Sequence, residues 1–213
     1  SNRDQLWKTV YERVVEKLKR EAVEDFRIDF EDGYGNRPDA EEDGHATSTA
    51  LEVAKGMKDG TLPPFIGIRI KPFNEERIVR SLRTMDIFLT TMLTATKKKL
   101  PQNFVVTLPK VQIREQAETF IKALSAIEKK LKMKNGTIKC ELMIETPQSI
   151  IDINGEAPMR SFVDACQGRC TGMHFGTYDY TAGCNITATY QKMDNPVCDF
   201  AKHVMQVTLA GTD

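Results

Sequence analysis

The sequence predicts an α/β protein built on the plan of a (β/α)8 TIM barrel. Three observations predict it. Short apolar runs alternate with long amphipathic stretches, the pattern of strands joined by crossover helices into a parallel sheet. The runs recur at a regular spacing of roughly 35 residues. No glycine-rich phosphate loop follows the first run, which favours a barrel over a doubly wound sheet.

The elements follow in order. Trp7, Val10, Val14 and Leu18 mark one stripe of an opening helix. Phe26 to Phe30 is the first strand, ending in the acidic loop Glu31-Asp32-Gly33-Tyr34-Gly35. A helix is expected over Thr47 to Lys58, and Pro63-Pro64 then lead into a second strand, Phe65 to Ile70. Asn74 can cap the next helix, in which Ile78, Leu82, Met85, Leu89 and Met92 recur at helical spacing. Lys97-Lys98-Lys99 close it where cations complement the helix dipole. Phe104 to Leu108 is a third strand; Ile113, Ala117, Phe120, Leu124, Ile127 and Leu131 stripe a helix; Ile138 to Ile144 is a fourth strand. A less regular region, broken at Asn154-Gly155 and Pro158, precedes a fifth strand at Gly172 to Phe175, and Val197 to Leu209 is a final helix.

Five or six strands are visible where a barrel has eight, and a full barrel takes about 250 residues against the 213 present. The expectation is one barrel-type domain over residues 1–213, cut at one or both ends. Missing strands would leave open sheet edges, so a homo-oligomer is expected.

Thirty Lys and Arg balance thirty Asp and Glu, which removes the cationic field expected of a nucleic-acid or membrane-surface protein. No apolar run is long enough to span a bilayer and the opening segment is charged throughout, so the expected compartment is the cytoplasm and the expected partner a small molecule. The five cysteines are irregularly spaced and are expected to be reduced thiols. Cys166, Cys170 and His174 lack the second cysteine pair that would close a zinc tetrahedron.

Barrel chemistry sits at the C-terminal ends of the strands, and every apolar run here ends in polar residues. The first ends in Asp29, Glu31 and Asp32, the second carries Arg69 and Lys71, and the third leads to Pro109-Lys110. The fourth ends in Glu145-Thr146, and the fifth leads through Gly176-Thr177-Tyr178 to Asp179. Each alone reads equally well as a solvated loop start, but five in succession make a candidate site. Glu145 and Asp179, on neighbouring strands, can converge on one cation, and Mg²⁺ accepts one or two carboxylates with water and substrate oxygens. Arg69 offers a fork for a carboxylate. Such a set equips a protein to bind a 2-oxo acid and stabilise an enolate while a carbon–carbon bond forms or breaks. The plain alternative is a surface salt-bridge network.

Asp29-Phe30-Glu31-Asp32, Ile68-Arg69, Leu108-Pro109-Lys110-Val111, Ile144-Glu145-Thr146 and Phe175-Gly176-Thr177-Tyr178-Asp179 occur in a telling order. In that order, over residues 25 to 183, the chain resembles the HpcH/HpaI aldolase and citrate lyase beta-subunit family. Residues 135 to 146 with Tyr178-Asp179-Tyr180 also resemble malate synthase, of the same phosphoenolpyruvate/pyruvate-type barrel superfamily. The resemblance implies that Glu145 and Asp179 hold Mg²⁺, that Arg69 meets the substrate carboxylate or carbonyl, and that Glu31 and Asp32 orient metal-bound water. It further implies that Thr146, Gly176 and Thr177 contact the substrate. Lys110 either neutralises substrate charge or pairs with an acid. The implied chemistry is aldol or Claisen cleavage or synthesis by a carbon–carbon lyase, on a 2-oxo acid and in some cases a coenzyme A thioester. The alternative is a non-catalytic member or fragment that binds an acyl-CoA or a partner.

Two departures stand out. Citrate lyase relatives continue the acidic motif with Ala-Val where this chain has Gly33-Tyr34, and residues 39 to 45 are unusually acidic, which suggests a separate branch. No domain comparable to the one that supplies malate synthase with its catalytic aspartate follows Asp179, so malate synthase activity is not expected. His45 is read as a loop residue or helix cap rather than a general base.

Overall fold

The computed structural model describes residues 2–212. Strands β1 (Asp25–Asp29), β2 (Phe65–Arg69), β3 (Phe104–Leu108), β4 (Lys139–Ile144) and β5 (Cys170–Phe175) form one sheet in the order β1-β2-β3-β4-β5, with every neighbouring pair parallel. The helices are α1 (Asn2–Arg20), α2 (Asp39–Asp59), α3 (Ile78–Ala95), α4 (Arg114–Lys130), α5 (Pro147–Ile150), α6 (Met159–Ala165), α7 (Thr177–Gly183) and α8 (Pro196–Leu209). This is the barrel plan with part of its circumference present: five successive strand-and-crossover units and two sheet edges that pair with no other described strand. No helix among the described residues is long and apolar enough to cross a membrane.

The alternation along the strands sorts the two faces by residue parity. Phe30, Ile66, Ile68, Ile70, Phe104, Val106, Leu108, Cys140, Leu142 and Ile144 are buried in one apolar cluster with α2, α3, α4 and α6. Side chains alternate across a strand, so Arg27, Asp29, Arg69, Thr107, Glu141 and Met143 occupy the opposite face. The Arg27 guanidinium reaches across β2 and β3 to meet the Glu141 carboxylate at 3.0 to 3.3 Å, so the polar face, opposite the helices and on the inner side of the barrel plan, is tied together from β1 to β4. Gly67 makes room for that reach: a Cβ there would stand 2.3 Å from the Val105 carbonyl oxygen and 3.2 Å from Arg27 Cδ.

Most expected elements fall within two residues of their observed limits, with two differences. The acidic stretch at residues 39 to 45 is the first part of α2, which begins at Asp39 rather than Thr47. Asp39, Glu41 and Glu42 in its first turn complement the positive end of the helix dipole, so the acidity that suggested a separate branch is a helix-start signal. The helix stops at Gly60, whose φ of 68° suits a residue without Cβ. Conversely, α1 forms as predicted but buries none of its residues: Leu6, Trp7, Val10, Val14 and Leu18 are all exposed.

The end of the sheet away from the C-terminal strand ends is locked by a buried ion pair. Arg169, the largest fully buried side chain, donates to both oxygens of Glu128 at 2.8 and 2.9 Å and also bonds the Ile138 carbonyl, Ser125 and Asn135. Glu128 accepts in addition from the main-chain N–H groups of Gly136 and Ile138. The knot ties α4 to the entries of β4 and β5. Burial pushes the Glu128 carboxyl up, but Arg169 and the two N–H groups outweigh it and leave it below the usual carboxylate range.

Arg169→Met strands the Glu128 charge in a dry site and is expected to lower unfolding free energy by about 3 to 5 kcal/mol, read by urea denaturation. A depressed carboxyl stabilises the fold at all pH values above its ordinary range, and the contribution is lost as pH falls through the folded value. Stability of the wild type should therefore drop below about pH 4.5, and Glu128→Gln should flatten that acid limb.

Candidate active site

The C-terminal ends of the five strands bring nearly all the predicted residues to one place. Asp29 and Arg69 are direct register partners on β1 and β2. The guanidinium donates from Nε and Nη2 to the two Asp29 oxygens at 2.8 and 2.5 Å. Asp29 also accepts the N–H groups of Glu31 and Gly33, which folds the acidic loop back over the strand end. The Arg69 charge and these N–H groups overcome burial and hold Asp29 below the usual carboxylate range. The fork expected to meet a substrate is thus closed on Asp29, a partner the spacing did not identify. Arg69 Nη1 is left facing Glu31 Oε2 at 3.4 Å.

Lys110 is the hub. Its ammonium stands 2.5 Å from Glu31 Oε1, 2.6 Å from Asp32 Oδ2 and 3.1 Å from Asp179 Oδ2, while its main-chain N–H donates to Glu145 Oε1 at 2.9 Å. Acids from three different strand ends meet on this one residue. Glu31 and Glu145 are buried, whereas Asp32 and Asp179 open to solvent. Glu31 Oε2 is buried and accepts no hydrogen bond.

The electrostatics of the two buried acids are set by this crowding. Burial raises the Glu145 carboxyl, the Lys110 N–H and charge oppose, and the adjacent Asp179 carboxyl raises it again, to about 7. Glu145 and Asp179 line the same cleft, and both meet Lys110, the one at its main-chain N–H and the other at its ammonium. Burial likewise lifts Glu31, with Lys110 pulling the other way. Asp32, more exposed, is held down by Lys110. Gly176 permits the arrangement: a Cβ there would lie 2.5 Å from both Glu145 Cβ and Oε2.

Two clefts meet at Lys110. One of about 350 Å³ is lined by Glu31, Asp32, Asn36, Arg77 and Lys110, and one of about 410 Å³ by Gln112, Glu145, Thr146, Gln148 and Asp179. Thr146 borders the second cleft, with its hydroxyl donating to the Val111 carbonyl and tying the ends of β3 and β4 together. Gly176 and Thr177 open α7, the helix that carries Asp179. Paired carboxylates such as Glu145 and Asp179 are hard oxygen donors suited to Mg²⁺, which fills the rest of its octahedron with water and substrate oxygen. Among the described residues no cluster of three or more His, Cys, Asp or Glu forms a complete protein cage, and Mg²⁺ does not require one.

Two residues named from the sequence, Lys71 and His45, take structural places, and one feature, Glu141, was not read. Lys71 is buried and bonds Glu42 and the Phe30 carbonyl, each at 2.7 Å, so it anchors the loop rather than facing a ligand. His45 lies within α2 and bonds the Tyr34 hydroxyl at 2.7 Å. On the inner face, Glu141 accepts from His174 Nε2, Thr107 and Arg27; the signal was a glutamate at an inward-facing position of β4. The His174 ring is therefore turned to Glu141, and all five cysteines are free thiols.

The fold has known counterparts. Malate synthase of Haloferax volcanii, solved with magnesium and glyoxylate, matches with a TM-score of 0.65 and 14% identity, over 86% of this chain and 50% of that one. A citrate lyase from Burkholderia xenovorans LB400 matches with a TM-score of 0.64 and 20% identity, over 94% of this chain and 57% of that one. The malate synthase in its pyruvate and acetyl-CoA ternary complex matches with a TM-score of 0.60 and 12% identity, over 77% and 42%. At these identities the likeness is one of fold, and the chain spans about half the length of those proteins. No curated protein matches in sequence. Residues 1–213 match the family described as "Domain of unknown function (DUF6986)", and the chain belongs to it.

Proposed function

We propose that this chain carries the active face of a Mg²⁺-dependent carbon–carbon lyase or synthase acting on a 2-oxo acid, with an acyl-coenzyme A thioester as the second substrate class. The observation that carries the reading is the gathering of Glu145, Asp179, Glu31 and Asp32 on Lys110, with Arg69 beside Glu31, at the strand ends where barrel enzymes do their chemistry. The fold shared with a malate synthase solved with magnesium and glyoxylate, and with a citrate lyase, supports the same class.

Glu145 and Asp179 would hold the ion, which when bound supplies Lewis-acid polarisation of the 2-oxo acid carbonyl. Arg69, with its fork fixed by Asp29, presents Nη1 to the site and adds positive charge where oxygen charge develops. Glu31, buried with one free acceptor oxygen, is positioned to take a hydrogen bond from substrate or from water, and Asp32 shares its lysine partner. Thr146 lines the cleft beside Glu145 and Asp179, Gly176 leaves room for the Glu145 carboxylate, and Thr177 opens the helix that carries Asp179, from which the three would bound the substrate. The second reading, a non-catalytic member that binds an acyl-CoA or a partner, is favoured by one observation, the closure of the Arg69 fork on Asp29.

Glu145→Gln is nearly isosteric and removes a charge that burial already disfavours, so the variant should remain folded by circular dichroism yet lose Mg²⁺ binding by at least tenfold in calorimetry. Unchanged affinity would remove the reading. In the metal-free protein, burial and Asp179 should make the Glu145 carboxyl titrate at about 7, with the protonated form below it, visible by carboxyl carbon NMR. An ordinary value near 4.5 would mean that the carboxyl is not withdrawn from water as the structure has it. Incubation with Mg²⁺, glyoxylate or pyruvate, and acetyl-CoA separates the two readings: product formation supports the enzyme, and binding without turnover supports the module.

A further inference from the structure

We propose that Lys110 is a resident cation of this site, and that its ammonium competes with the divalent ion for Asp179 and so sets how tightly that ion binds. The inference rests on Glu145 and Asp179 being the ion's ligands, as proposed above.

The first observation is conformational. Lys110 has φ of 53°, in the left-handed region that a residue with a Cβ enters only at a free-energy cost. Such a conformation persists where surrounding contacts over-determine it. Here the contacts are plain: the turned backbone aims its N–H at Glu145, and the side chain reaches Glu31, Asp32 and Asp179.

The second observation is the asymmetry of those contacts. An ammonium has three donors, and three carboxylates surround this one. The bonds to Glu31 and Asp32 are 2.5 and 2.6 Å, and the Glu31 side chain is 3% exposed. The contact with Asp179 is the longest, at 3.1 Å, and that side chain is 39% exposed. Asp179 is therefore the partner most easily ceded. A divalent ion bound to it at about 2.0 to 2.1 Å would share one carboxylate with the ammonium, and the two cations would repel across it.

The other cations around the site among the described residues are engaged elsewhere. Arg69 is closed on Asp29, Lys71 is buried against Glu42 and the Phe30 carbonyl, and Arg77 pairs with Glu76 and Asn36. With the ion in place, the ammonium stays on Glu31 Oε1 and Asp32, leaving Glu31 Oε2 as a buried acceptor that lacks a hydrogen-bond donor. Lys110 is on this account a positioning residue for the acids and a tuner of ion affinity.

The test is calorimetric titration of the full chain with Mg²⁺ and with Mn²⁺, in wild type, Lys110→Met and Lys110→Arg, with thermal melting of each in the presence and absence of ion. Lys110→Met should bind about tenfold more tightly than wild type, since a half-buried competing charge is gone. Its melting temperature should be lower without ion and rise further on ion addition than the wild type's. Lys110→Arg should stay within about threefold of wild type. Should Lys110→Met fail to fold, Lys110→Gln carries the same expectation. Equal or weaker binding by a folded neutral variant, with wild type binding normally, overturns this inference alone. If wild type does not bind either ion, the assignment of Glu145 and Asp179 falls, and the competition with it.

Discussion

Like charges do not share a small volume unless something stands between them, and at the mouth of this sheet the something is Lys110. Glu31, Asp32, Glu145 and Asp179 arrive from three strand ends, two of them buried, where Coulomb repulsion is weakly screened. Without a cation among them the loops that follow β1, β4 and β5 would separate. The ammonium satisfies three of the acids and the Lys110 N–H the fourth, which explains why a lysine tolerates a left-handed backbone where glycine or asparagine would be less strained. Glu145 remains elevated because the N–H and the ammonium together do not cancel its burial and its neighbour Asp179.

Long side chains carry that constellation across the sheet. The ends of β1 and β3 are two strand spacings apart, roughly 10 Å. Lys110 spans them to reach Glu31 at 2.5 Å, and Arg27 on β1 spans β2 and β3 to reach Glu141 on β4. Both contacts close across the inner side. The parity of the strands makes that side polar: in β1 to β4 the even-numbered positions carry the core and the odd-numbered ones carry Arg27, Asp29, Arg69 and Glu141, while in β5 a register shift reverses the parity and turns His174 to the polar side. Parallel sheets are ordinarily apolar on both faces, so a row of ionic side chains on one of them marks an interior organised for polar work.

The fold was largely legible because its signals are local. Ile66, Ile68 and Ile70, or Leu124 and Ile127, announce period and burial within a few residues, and those strands and helices formed where expected. Strand ends also named the site, since polar residues that terminate apolar runs must gather at one rim of a parallel sheet. Partnerships were not legible. That Arg69 would close on Asp29, 40 residues away, follows from register between β1 and β2, and spacing alone carries no register. The acidic start of α2 lay outside the expected helix because charge without apolar periodicity carries no helical signal, although acids belong at a helix N-terminus. The apolar stripe of α1 was legible as a stripe, but a stripe does not state what it packs against, and here every member is exposed.

The inner face carries a second ionic network beside the Asp29–Arg69 pair. Arg27, Glu141, Thr107 and His174 join β1, β3, β4 and β5, with Thr107 in register with Arg69 and Glu141, and His174 in register with Met143. A network that ties four strands on one face holds their lateral positions beneath the rim. Gly67 is part of that fixing, since any side chain there would collide with the Val105 carbonyl and lift Arg27 from Glu141. Gly176 plays the matching part at the rim, where a Cβ would displace Glu145. The two glycines are thus required by close approach rather than by a turn. The strands are tied across the inner face because one glycine lets a guanidinium cross the sheet, and the acids can gather because the other leaves a carboxylate room to stand.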